Sequence, residues 1–243
     1  MRSFVVTGGS QGVGRAIVER LAAEGPVVVL DLAAAATWAA RDVTLVSGDA
    51  GDPDVARRAA ELAEARAPLA GWVNNAAVFR DAPITAPPSD VLAAITANLS
   101  LAITGCHTAV GHYLRYGRAG AIVNVSSHQA QRPVRGALPY ATAKGAVEAL
   151  TRAVAVDHGP DAIRTNAVAL GSIETARYEE YRREHPEVDR QMAALHPLGR
   201  VGTGGEVAEA VAFLLSDQAA FVNGAVLPVD GGRAAQGADP EAT

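Results

Sequence analysis

Short apolar runs rich in valine and isoleucine recur along the chain: FVVT at 4–7, VVVL at 27–30, VTLV at 43–46 and AIVNV at 121–125. Longer Ala- and Leu-rich stretches lie between and after them, over 14–24, 53–66, 91–116 and 138–158, with apolar residues every three or four positions. A strand with one wet face alternates polar and apolar residues, so unbroken apolar runs mark strands covered on both faces. Their alternation with helical stretches predicts βαβ units, and residues 225–229 supply a last strand. The expected fold is α/β, a Rossmann-type doubly wound parallel sheet with helices on both faces.

Two segments break the rhythm. Residues 174–190 carry six acids and four arginines. Glu179 and Arg183 stand four apart, the spacing of an ion pair along a helix, and the segment reads as a solvated surface helix. Its place between a late strand and the last helix also suits a mobile flap over a substrate. The stretch RAAQGADPEAT from Arg233 is small and polar and is expected to be a disordered tail, leaving 1–232 as one domain.

Composition narrows the function. With 49% hydrophobic and 19% charged residues the chain can bury a core, and a net charge of -5 with no basic stripe argues against nucleic acid as a partner. One cysteine, Cys106, excludes an intrachain disulfide framework, and the start MRSFVVTGG lacks the positive stretch and apolar core of a signal peptide, so a cytoplasmic setting is expected. No uncharged apolar run is expected to approach the roughly 18 residues needed to cross a bilayer, so no membrane partner is expected either.

Candidate chemistry begins after the first strand, in Thr7-Gly8-Gly9-Ser10-Gln11-Gly12-Val13-Gly14, which runs straight into the helical stretch RAIVERLAAE. Glycines let the backbone turn tightly and approach a pyrophosphate, while the unpaired N–H groups of a helix start favour negative charge. Asp31 ends the second run, 24 residues after Thr7. A carboxylate there can accept from both adenosine ribose hydroxyls and repels a 2′-phosphate, so NAD is expected. Gln11 in the loop and Leu32-Ala33-Ala34 after Asp31 provide no arginine for that phosphate; Arg15, recruited by a flexed loop, keeps NADP open.

Twenty arginines and a single lysine make up the basic residues, and that lysine is Lys144, four positions after Tyr140. On a helix the two share a face. A phenol with a pKa of about 10 is a poor proton-transfer group near neutrality, and an adjacent ammonium is expected to lower it while its other donors reach ribose hydroxyls.

These residues resemble the short-chain dehydrogenase/reductase family up to Gly232. TGGSQGVG is similar to that family's cofactor loop, Asn74-Asn75-Ala76-Ala77 to its central-strand motif, and Asn124-Val125-Ser126-Ser127 with Tyr140 and Lys144 to its active site. The segment from Gly199 to Gly232 is similar to its C-terminal pattern. The resemblance implies a seven-stranded sheet, a homotetramer or dimer, and hydride transfer between the coenzyme and a secondary alcohol or ketone. The family's catalytic serine lies 13 residues before its tyrosine, which implies Ser127 over Ser126. Ser127 would hold the substrate oxygen, Tyr140 pass the proton, and Asn98 hold a water linking Lys144 to solvent. The coenzyme would touch Gly8, Ser10, Gln11, Gly12, Val13, Gly14, Asp31 and Leu32, with Asp49 and Ala50 at the adenine, Asn75 to Ala77 on the adenosine side, and Ile173 with Thr175 at the carboxamide. Ala77 stands where the family commonly has glycine, and Leu170-Gly171 where it has Pro-Gly, a change expected to loosen the loop carrying Ile173.

Other residues carry less. His107 and His112 sit on a helix with no carboxylate partner in view, which suggests a core or interface role rather than a metal site. His128 follows Ser127 and is a candidate substrate contact. Trp38 and Trp72 read as packing residues. An NAD preference leans towards oxidation, because cellular NAD is mostly oxidised. An NADPH-dependent 3-oxoacyl thioester reductase and a non-catalytic cofactor-binding regulator stay open as rivals.

Overall fold

Residues 1–32, 38 and 42–237 are described by the computed structural model. The apolar runs become strands: β1 (Ser3–Thr7), β2 (Val27–Asp31), β3 (Val43–Ser47), β5 (Gly120–Ser127) and β7 (Val226–Val229), joined by β4 (Leu69–Asn74) and β6 (Ile163–Leu170). Helices α1 (Gly12–Ala22), α2 (Pro53–Arg66), α3 (Pro88–Arg115), α4 (Leu138–His158), α5 (Ala176–Glu184), α6 (Val188–Leu195) and α7 (Gly204–Leu215) alternate with them. All seven strands are parallel, in the order β3-β2-β1-β4-β5-β6-β7. The winding direction reverses between β1 and β4, and at such a switch the loops leaving the strands part to open a crevice.

Burial follows the two-residue strand period. Phe4 and Val6 point to one face, with Ile17, Val18 and Leu21 of α1 and Val207 and Val211 of α7; Val5 and Trp72 point to the other, with Ala56, Ala59 and Ala63 of α2 and Ala109 and Tyr113 of α3. Each fully buried Ile, Val or Leu stabilises the fold by about 1.5–3 kcal/mol relative to an exposed one. Apolar runs alone do not reveal β4 and β6. β6 carries Arg164, Thr165 and Asn166 inside the sheet, tolerated because the Arg164 guanidinium donates to the carbonyls of Leu214 and Ser216 (2.8 and 3.0 Å), and Asn166 pairs with Val222 O and Ala225 N.

Several expectations need correcting. α3 is by length and composition long and apolar enough to cross a membrane, contrary to the sequence reading; it lies against β4 and α4, burying Val91, Leu101, Cys106 and Ala109. His112 does have a carboxylate partner, Glu64 of α2, at 3.0 Å. That carboxylate also takes Arg118 (2.6 Å) and the Leu69 N–H (3.0 Å), and these bonds outweigh its burial to hold it at about 2. The acidic segment is two helices, α5 and α6, and Glu179 pairs with Arg182 (3.4 Å) rather than Arg183. Arg182 also approaches Glu174 and Asp189 (3.9 Å each), so one guanidinium serves acids from both ends of the segment. In the stretch expected to be a tail, Arg233 and Ala234 are tied in: Arg233 Nη1 donates to Ser172 Oγ (2.7 Å) and Ala234 N to Asp230 (2.8 Å). Residues 238–243, and Ala33 and Ala34, lie outside the described residues.

Candidate active site

At the carboxyl ends of the strands lies a cleft of about 940 Å³. Its first wall is the β1–α1 loop. Gly8 has φ +65°, a conformation glycine adopts without strain, and a Cβ there would lie 2.8 Å from Ala76 Cα. A Cβ on Gly14 would lie 2.1 Å from Gly8 O. The turn is therefore closed to side chains. Thr7 Oγ1 accepts from the N–H groups of Asn75 and Ala76 (3.1 Å each), and Asn75 Nδ2 donates back to Thr7 O and Gly8 O (3.1 and 2.8 Å), fastening this loop to the end of β4. Asp31 at the end of β2 accepts from Ser10 N (3.0 Å), so it also shapes the loop. Arg15 is engaged by Glu19 (2.8 Å) and lies over Trp38, whose indole donates to Ser10 O.

The opposite wall is built by β5 and α4. One turn of α4 separates Tyr140 from Lys144, and both enter the cleft. Lys144 is 5% exposed; its Nζ donates to Val125 O (2.7 Å) and lies 5.4 Å from the Tyr140 ring centre. Burial lowers the ammonium to about 8. Burial holds the Tyr140 phenol above its ordinary value, against the smaller, opposing effect of the nearby Ser127 hydroxyl. The expected depression by Lys144 is thus not seen in this structure, because the ammonium is spent on Val125 O and the phenol is desolvated. Ser126 points away, to Glu148 (3.1 Å), leaving Ser127 as the serine beside Tyr140.

Gly8, Gln11, Val13, Gly14, Asp31, Leu32, Asp49, Ala50, Asn75, Ala76, Ala77, Ser127, Tyr140, Lys144, Ile173 and Thr175 all line this one cleft. Ser10, Gly12 and Asn98 do not line it. The Asn98 carboxamide accepts from Val78 N (2.9 Å) and donates to Val78 O (2.6 Å), so its side chain pins the segment after β4 and is not directed at Lys144. The loop after β6 is held firmly despite Leu170: Gly171 N bonds Val229 O, Ser172 N bonds His196 Nε2, and Gly202 N bonds Ser172 O (3.0, 3.2 and 2.9 Å).

The sequence reading missed Phe79, which stacks on Tyr140 with ring centres 5.4 Å apart and carries the Arg177 guanidinium 5.4 Å above it. Arg233 lines the cleft too, though the sequence placed it in the expected tail, and Ser172 lines it at the start of the segment expected to shape the substrate pocket. His128 does reach the cleft; burial first, and the charge of Arg233 second, lower it to about 4.

The comparisons with known proteins agree with this geometry. The family model described as enoyl-(acyl carrier protein) reductase matches residues 8–234. A 2-(R)-hydroxypropyl-CoM dehydrogenase of Xanthobacter autotrophicus is 36% identical, covering 95% of this chain and 97% of that protein. This chain belongs to the short-chain dehydrogenase/reductase family. A 3-oxoacyl-(acyl-carrier-protein) reductase of Pseudomonas aeruginosa is 35% identical, covering 94% of this chain and 95% of that protein. Among solved structures, the Thermoplasma acidophilum aldohexose dehydrogenase superposes with a TM-score of 0.88 at 30% identity, over 100% of this chain and 96% of that one. A Burkholderia cenocepacia gluconate 5-dehydrogenase in complex with NADP and tartrate gives 0.85 at 30% identity, over 97% and 96%. As a short-chain dehydrogenase/reductase, the protein is an oxidoreductase of CH–OH groups with the family's Rossmann-type fold.

Proposed function

We propose that this short-chain dehydrogenase/reductase moves a hydride between NAD(H) and a secondary alcohol or ketone, with Tyr140 as general acid and base. The observation that carries the reading is the meeting of Ser127, Tyr140 and Lys144 on one wall of a cleft whose far end holds Asp31. The main-chain cradle fits a dinucleotide, since Gly8 and Gly14 leave room for no side chain where a pyrophosphate would approach the start of α1. The coenzyme supplies the hydride acceptor in oxidation and the donor in reduction. Ser127 holds the substrate oxygen by a hydrogen bond and orients it towards the phenol. Tyr140 gives its proton to that oxygen as a ketone is reduced and takes it back as an alcohol is oxidised. Lys144, charged below about pH 8, fixes the polarity of this wall. Asp31 supports NAD over NADP, because a 2′-phosphate placed beside its carboxylate meets like charge. The same reading carries a cytoplasmic homo-oligomer, which sedimentation of the purified chain tests.

A paired titration with NADH and NADPH, followed by nicotinamide fluorescence, tests the coenzyme assignment. NADH is expected to bind more tightly, with the preference eroded in Asp31→Ala. Asp31→Asn keeps an acceptor for Ser10 N and separates the charge from the loop contact. Tighter binding of NADPH would favour the 3-oxoacyl thioester reductase instead, and binding of neither would favour a non-catalytic protein.

A further inference from the structure

Beyond the proton-transfer set, the cleft is charged unevenly. Its acidic lining residues, Asp31 and Asp49, belong to the β2 and β3 end. At the β6–β7 end the wall contains His128, Ser172 and the partly buried Arg233, with no acid among the described lining residues. Arg233 follows the Gly231-Gly232 turn after β7, and its Nη1 donates to Ser172 Oγ at 2.7 Å. It forms no ion pair with a described residue within 4.0 Å. Asp230 is the acid that acts on it, yet the Asp230 oxygens already accept the N–H groups of Gly232 (2.9 Å) and Ala234 (2.8 Å). The two imidazoles here add no counter-charge: His196 Nε2 accepts from Ser172 N, and burial keeps His128 neutral with an unpartnered Nδ1.

A guanidinium stays protonated in a protein, so burial that disfavours its charge is a standing cost rather than a cause of neutralisation. A planar oxyanion reaching the remaining N–H groups offsets that cost with charge-assisted hydrogen bonds. We propose that Arg233 anchors a carboxylate on the substrate, which makes the substrate a hydroxy acid and the product a keto acid. This rests on the CH–OH oxidoreductase reading above and adds the substrate's second recognition group. The bland alternative is a strut, with Arg233 serving only to hold the chain end against Ser172.

The test compares keto acids with their methyl esters, which keep the ketone and remove the charge. 4-Oxopentanoate and 4-oxocyclohexanecarboxylate, each beside its ester, are reduced by wild type, Arg233→Gln and Arg233→Lys with NADH and with NADPH. In wild type the acids are expected to have the higher kcat/KM. In Arg233→Gln the acid-to-ester ratio falls by about tenfold to hundredfold, chiefly through KM, and Arg233→Lys recovers part of it. A strut would lower acid and ester together, so an unchanged ratio, or a wild-type preference for the esters, overturns the assignment. Calorimetric titration of the same acids into the NAD⁺-saturated protein separates this from failure of the activity itself. If no ketone is reduced, acid binding lost in Arg233→Gln still upholds the anion site, whereas equal binding or none refutes it.

Discussion

At the β1–β3 end of the cleft the loop that would cradle a pyrophosphate is a glycine turn closed to side chains, whereas the β5–β7 end is built from side chains carried by separate elements. The first end is the turn of Gly8 and Gly14, stitched to Asn75 through Thr7. The second gathers Ser127 from β5, Tyr140 and Lys144 from α4, Phe79 from the segment after β4, and Arg233 from beyond β7. Main chain can approach a ligand only where side chains are absent, so the first end is broken by adding atoms. The second is broken by removing them.

The largest effect expected is at the second end. Tyr140→Phe deletes one hydroxyl and leaves the ring that stacks on Phe79. Turnover should fall by about 10²–10⁴ fold, the range of a general acid–base group, while NADH affinity in a fluorescence titration stays near wild type. Unchanged turnover would refute the assigned proton path. At the first end, Gly14→Ala places a methyl carbon 2.1 Å from Gly8 O and 2.5 Å from Asn75 Nδ2. The loop must shift, costing about 1–3 kcal/mol as overpacking does, and thermal unfolding should fall together with coenzyme affinity. Retained affinity at reduced stability would mean that the turn does not contact the dinucleotide.

The same contrast explains what the sequence disclosed. A glycine turn between a strand and a helix is a local pattern, and so is Tyr140 one helical turn before the single lysine, so these were legible before any fold was known. Arg233 was not, because its meaning comes from Ser172, 61 residues away, and from its forming no ion pair within 4.0 Å among the described residues. Its polar, small-residue surroundings instead suggested a loose chain end. Phe79 is 67% exposed and sits in no periodic segment, so no pattern distinguishes it from a loop residue until it is found on Tyr140. Asn98 shows the reverse: resemblance suggested a water relay, while the carboxamide hydrogen-bonds the Val78 backbone through one N–H and its oxygen. His112 looked unpaired along its own helix because its partner, Glu64, lies 48 positions away on α2.

The smallest effect concerns the cost of placing a charge within the side-chain wall. Burial brings Lys144 down from 10.5 to about 8. In the unfolded chain the same lysine keeps its ordinary value, so between about pH 8 and 10.5 the unfolded state binds more protons than the folded one. Stability from this group therefore rises with pH across that window, whereas below pH 8 the penalty of the buried ammonium is present in full. Lys144→Met removes the charge and keeps most of the stem. The variant should unfold at a higher temperature than wild type by a margin greatest below pH 8, less whatever is lost with the bond to Val125 O. That margin should narrow between pH 8 and 10, by about 2–4 °C for each kcal/mol recovered. A margin that stays constant would show that the ammonium keeps its water and that this end of the cleft holds its charge no more dearly than an ordinary surface.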